Sequence, residues 1–154
     1  MRGTESWRSL LVAGVVASLV AGVVAGLAAR AAMGVLGEAG GSSMTAIVGQ
    51  LTLTGTLRIM ILPMVFGIPF AWLLLAAGRR WRGGSLPVRM AAYGLATLIV
   101  PGLLFLTDSE FNIPGPNSDM GRWLFAPVFV VYGVLVGLIG ERLLGRTRTV
   151  VVAD

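Results

Sequence analysis

The sequence predicts an all-α fold, an integral membrane bundle of four transmembrane helices in a single domain covering residues 1–154. Both termini are expected in the cytoplasm, with two extracytoplasmic loops. Three observations lead there. Of the 154 residues, 56% are hydrophobic and only 12% are charged, about half the charged share of an ordinary soluble domain. Four stretches, 10–29, 59–78, 90–106 and 123–140, run without charge for the roughly 17 to 25 helical residues that cross a hydrocarbon core about 30 Å thick. The basic residues are distributed unevenly about those stretches, as topology signals are.

The first span, 10–29, is rich in Ala, Gly and Val and has a helical continuation to about residue 36. It follows a basic start, as a signal peptide does. Its apolar run of about 20 residues exceeds the 7–15 of a cleavable signal, so a retained span is expected. Segment 37–58 opens on Glu38-Ala39-Gly40-Gly41-Ser42-Ser43, a flexible loop by composition, and then alternates polar and apolar residues through Gln50-Leu51-Thr52-Leu53-Thr54. Two readings fit: a short extended piece on the outer surface, or an early start to the second helix, capped by a threonine.

The second span, 59–78, carries Pro63 and Pro69, the third carries Pro101 and the fourth Pro127. Proline breaks soluble helices, but membrane bundles tolerate it because neighbouring groups satisfy the freed carbonyls, so kinks are expected and not ends. The short connection 79–89 contains Gly83-Gly84-Ser85 and Pro87, which predicts an antiparallel hairpin of spans two and three. Segment 107–122, with Asn112, Pro114, Gly115, Pro116 and Asn117, reads as a turn-rich cap. The tail through Arg146 and Arg148 reads as a short disordered end.

All twelve basic residues are Arg, fixed charges that must meet water, phosphate or carboxylate. Nine fall on one side of the alternating spans, at positions 2, 8, 79, 80, 82, 89, 142, 146 and 148, against three on the other, Arg30, Arg58 and Arg122. The excess assigns the termini and the 79–89 connection to the cytoplasm. Acidic residues lean outward, four against three, so the net charge of +5 is mostly an orientation signal. Trp7, Trp81 and Trp123 fall at span edges, where aromatic anchors are favoured.

The chain has no Cys and no His, which removes disulfides, thiol catalysis and His-ligated metal or acid–base chemistry. No catalytic, cofactor-binding or metal-binding residues are identified, and no cofactor is expected. Asp108 and Glu110 offer oxygen ligands for a hard cation, but two carboxylates in a Pro/Gly loop read as solvated. Ser18, Thr97 and Tyr132 are the only clearly mid-span hydrogen-bonding side chains, and Thr97 and Tyr132 are expected to bond backbone or each other.

The clearest pattern is a small-residue ladder at four-residue spacing, Gly14, Ser18, Gly22 and Gly26, echoed by Gly133 and Gly137 in the last span. Such ladders let helices approach closely. Packing of span one on span four is expected, with a homodimer seam as the alternative. Arg30, Arg58 and Arg122 are candidates for anion or lipid contact, as an outer basic vestibule. The competing reading has them snorkelling to headgroups or pairing with outer carboxylates.

A long Ala/Gly first span closing in Ala29-Arg30-Ala31, an outer segment entering Gly55-Thr56-Leu57, an Arg-rich hairpin, Glu110-Phe111 and a last span ending Glu141-Arg142 together resemble small four-helix membrane proteins of high-GC bacteria. That resemblance implies a multi-pass protein of a bacterial cell membrane, the inner one, and carries no activity. Gly26-Leu27-Ala28-Ala29-Arg30 and Gly55-Thr56-Leu57 are also similar to small fluoride channels. That family, however, has a polar Asn in its second helix and a Phe, Ser and Thr track in its third. Here these read Arg58-Ile59-Met60-Ile61-Leu62 and Thr97-Leu98-Ile99-Val100-Pro101, so the channel reading is disfavoured. Small multidrug exporters need a carboxylate in the first span, and span 10–29 has none.

The expected function is that of a non-enzymatic multi-pass membrane protein acting through helix packing, as an accessory subunit of a larger complex or a homo-oligomer. Its expected partners are the lipid bilayer and other membrane chains or itself, not nucleic acid. The alternative is a small channel or transporter for an anion or lipid.

Overall fold

A computed structural model describes residues 2–39, 53–80, 85–104 and 118–151. Within them, the side chains at both ends of the first and last helices and at positions 54, 55, 58 and 62 fall outside the description. The described residues are helical apart from Ser85. Helix α1 is Arg2–Ala39, α2 is Leu53–Arg80, α3 is Leu86–Thr97 followed by a π-helical turn at Leu98–Gly102, and α4 is Ser118–Val151. Three of them are long and apolar enough to cross a membrane, over Trp7–Val35, Ile59–Arg80 and Trp123–Gly145, with mean hydropathies of 2.5, 2.3 and 2.2. Leu86–Gly102 is a shorter apolar helix.

Helices α1, α2 and α4 outrun their expected apolar spans. In α1, Ala and other good helix formers continue past Arg30 with no proline to stop them, and the helix reaches Ala39. Helix α2 starts at Leu53, so from there on the early-start reading holds. Residues 40–52 and 105–117, with most of both outer loops, lie outside the described residues, as do Asp108 and Glu110. The tail is a correction: Arg146 and Arg148 continue α4 to Val151, because nothing after Gly145 breaks the helix and each added residue adds a backbone hydrogen bond.

The prolines do not end helices. Pro63 and Pro69 sit inside α2 and Pro127 inside α4. Pro101 lies in the π-helical turn. Lacking an N–H, it cannot donate to the carbonyl of residue 97 as an α-helix requires. The ladder widens by one residue there, and the Leu103 N–H bonds the Leu98 carbonyl.

Helix α1 is the centre of the bundle. It packs extensively on α2 and on α4, and α4 in turn carries α3, whereas α2 makes only minor contacts with α3 and α4. The expected hairpin of spans two and three is therefore corrected. The two helices are joined by a short connection, but each docks on another partner. The core is a row of small residues on α1, Ala13, Ala17, Ala21 and Ala25, packed with Leu10, Ala71, Leu75, Tyr132 and Val136.

Candidate functional site

Two rows of small residues run along α1, offset by one position and so about 100° apart on the helix surface. The alanine row faces the core just described. The ladder row meets α2: a Cβ placed on Gly22 or Gly26 would lie 2.7 Å from the Cα of Met64 or Met60, and one on Gly14 would overlap the Trp72 ring. As the ladder positions rise, their α2 partners fall in constant register, the mark of an antiparallel pair. Trp72 secures one end by donating from Nε1 to the Leu11 carbonyl at 3.0 Å.

Spans one and four pack together as expected, but the glycines of the ladder meet α2; α1 faces α4 through Ser18 and the neighbouring alanine row. Gly133 and Gly137 likewise receive Tyr93 of α3. Their partners, the Tyr93 backbone with the Thr97 hydroxyl at Gly133 and the Tyr93 ring at Gly137, lie on another helix, and spacing within one helix does not reveal those.

Ser18 is the polar rung of the ladder, fully buried. Its Oγ donates to the Met64 carbonyl at 3.1 Å and lies 2.8 Å from the Tyr132 hydroxyl. A serine hydroxyl has one proton and a carbonyl can only accept, so Tyr132 donates to Ser18. The chain Tyr132–Ser18–Met64 ties α4, α1 and α2 together, at a point where a Cβ on Gly67 would strike Tyr132. Each such bond between membrane helices contributes about 0.6 kcal/mol on average. Of the two expected alternatives, Thr97 takes the backbone and not Tyr132. The Thr97 hydroxyl has three carbonyls in reach, the shortest being that of Phe129 on α4 at 2.7 Å. This bond fastens α3 to α4.

On one side of the Tyr132–Ser18 node the helices close up. Gly140 receives Leu75, and Gly78 receives the Tyr93 hydroxyl. Tyr93 donates to Glu141 at 3.1 Å, and Arg89 pairs with Glu141 at 2.8 Å. Both members of the pair are partly exposed, with 30% and 21% side-chain accessibility, so the bridge contributes under about 1 kcal/mol. Sequence reading counted Arg89 and Glu141 only as topology charges.

On the other side of the node, α2 stands away from α3 and α4 and leaves a lateral cleft of about 200 Å³. Its floor is Ala25, Ala29 and Met33 of α1. One wall is α2, with Pro63, Phe66, Gly67 and Phe70, and the other is Pro101 with Phe125, Val128, Phe129 and Tyr132. Apart from the Tyr132 hydroxyl, already bonded to Ser18, every lining side chain is apolar. Sequence reading did not foresee this cleft. Its cause is the packing order: α2 and α4 each dock on α1 but make little contact with one another, which leaves the groove between them open.

The three outer Arg positions gather at this end. Arg30 follows Ala29, Arg58 precedes Ile59, and Arg122 lies one turn before Phe125, each beside a residue that lines the cleft. The Arg30 side chain is 9% exposed and directs Nη1 to the sulfur of Met33 at 4.0 Å. It is folded against the bundle and does not extend from it. The side chains of Arg58 and Arg122 lie outside those described.

Among the described residues, no three metal-ligating side chains come together. Among the described residues, fold and site define an apolar helical bundle closed at one end and open sideways at the other, with the positions of Arg30, Arg58 and Arg122 at the open end. Comparison with protein families, curated proteins and solved structures finds no match in any of the three.

Proposed function

We propose that this chain is a non-enzymatic, multi-pass membrane protein that crosses the bilayer four times with both termini in the cytoplasm, and that it serves as an accessory subunit of a larger membrane complex. A bacterial inner membrane is the setting this reading assigns. The observation that carries it is the use of the ladder: Gly14, Gly22 and Gly26 are taken up by Trp72, Met64 and Met60 within the chain, so the ladder holds the subunit together and is not a seam between copies.

What α1 turns outward is a different stripe, Val12, Val16, Val20, Val24 and Leu27, each well exposed. It is apolar enough for lipid or for the helix of another chain. The buried hydroxyls of Ser18, Tyr132 and Thr97 are engaged within the bundle, which favours a packing role over a chemical one. Cross-linking in native membranes followed by purification in mild detergent tests the reading. A second membrane protein bound in constant proportion is expected, and a lone monomer under both conditions would overturn it.

A further inference from the structure

We propose that the lateral cleft seats an acyl chain of an anionic phospholipid, with the lipid phosphate held at the Arg30 end. The proposal rests on the membrane insertion inferred above but not on the accessory-subunit role.

The cleft's chemistry excludes a polar occupant. Its walls are hydrocarbon, and the one hydroxyl among them is committed to Ser18. A space of about 200 Å³ exceeds the roughly 150 Å³ of apolar cavities that stay dry and take up benzene. Left empty, it would forfeit the dispersion contacts of four phenylalanine rings, Phe66, Phe70, Phe125 and Phe129. Because it opens sideways, its natural filler inside a bilayer is a hydrocarbon chain.

A partner helix fits the site less well. Close helix approach needs small residues on the receiving surface. Here the walls are mostly large side chains, and Gly67 is already covered by Tyr132. A flexible chain can follow an aromatic-walled groove that a helix cannot enter.

Charge selects the headgroup. Arg30 sits between two floor residues, Ala29 and Met33, with its guanidinium drawn to the Met33 sulfur. The backbone positions of Arg58 and Arg122 fall at the same end, beside Ile59 and one turn from Phe125. Arg30, a permanent cation whose guanidinium reaches Met33 on the floor of the apolar slot, matches a negatively charged phosphate joined to an acyl chain, and its planar fork suits phosphate oxygens.

The test uses the full chain in mild detergent, exchanged against phosphatidylglycerol and phosphatidylcholine of identical acyl chains and read by native mass spectrometry. Phosphatidylglycerol is expected to be retained about tenfold better, the equivalent of one charge-assisted hydrogen bond. Arg30→Gln should bring the two lipids to parity and Arg30→Lys should restore part of the preference. Arg142→Gln, exposed at the opposite end, should leave it unchanged.

Ala29→Phe and Val128→Trp fill the cleft from its floor and from one wall, and each should lose bound lipid of both kinds while keeping its helical circular dichroism. If one of them does not fold, the other decides. Retention undiminished in a folded filled variant would mean ordinary surface lipid and would overturn the proposal. So would equal retention of the two lipids by the unaltered chain, or a copurifying protein that the filling substitutions displace. Alkaline carbonate extraction separates the two readings: release from membranes refutes insertion itself, whereas an inserted chain without lipid preference refutes only the lipid site.

Discussion

Glycine has opposite consequences at two positions of the same helix. At Gly22 an added Cβ would sit 2.7 Å from the backbone N and Cα of Met64, whereas at Gly34 it would meet nothing within 4 Å. Gly22→Ala should therefore destabilise the fold by about 1–3 kcal/mol, the usual range for overpacking. Gly34→Ala should be neutral, or stabilising by up to about 1 kcal/mol through helix propensity. Denaturant titration in detergent, followed by circular dichroism, measures both. Equal effects would mean that α1 and α2 do not meet in this register. Gly22 belonged to a recognisable ladder in the sequence and Gly34 did not. The identity of its contact, a backbone 42 positions away, is a property of the pair and so was hidden from any reading of α1 alone.

Helices α2 and α3 are neighbours in sequence but make little contact in space, chiefly where Gly78 receives the Tyr93 hydroxyl. Helix α3 is held to α4 by the Thr97–Phe129 hydrogen bond and by Tyr93 lying over Gly133 and Gly137, while α2 is held to α1 by its fit to the glycine row. The chain has no native cysteine, so introduced pairs report these contacts without background. Gly94 and Val130 approach closely, a Cβ on Gly94 lying 2.9 Å from a Val130 methyl, so Gly94→Cys with Val130→Cys should form a disulfide on mild oxidation. Phe66→Cys with Phe125→Cys, on opposite walls of the cleft, should form it far more slowly. Gel mobility after oxidation distinguishes them, and equal rates would remove the open cleft. A short Gly/Pro connection indicates that two helices turn back on each other. Whether they then touch depends on where better-fitting surfaces lie, and here those were on α1 and α4.

The bundle as a body has a closed end, carrying Arg79, Arg89 and Glu141, and an open end, carrying the positions of Arg30, Arg58 and Arg122. If the Arg excess orients it, the closed end faces the cytoplasm. A single cysteine at residue 84 should then react with an impermeant maleimide only in inverted vesicles or after permeabilisation. Labelling from outside intact cells would reverse the orientation and move the open end to the cytoplasmic leaflet.

Helix content, three helices long and apolar enough to cross a membrane, and the uneven placement of Arg were legible in the amino-acid sequence, because each depends on local composition. Tertiary structure settled which row of α1 meets which helix, and that a cleft remains between α2 and α4. In a soluble helix the contrast between apolar and polar faces shows which side packs inward. In these helices nearly every face is apolar, and small differences in shape choose the neighbours. Shape complementarity belongs to pairs of surfaces, so the cleft appeared only once the helices were assembled.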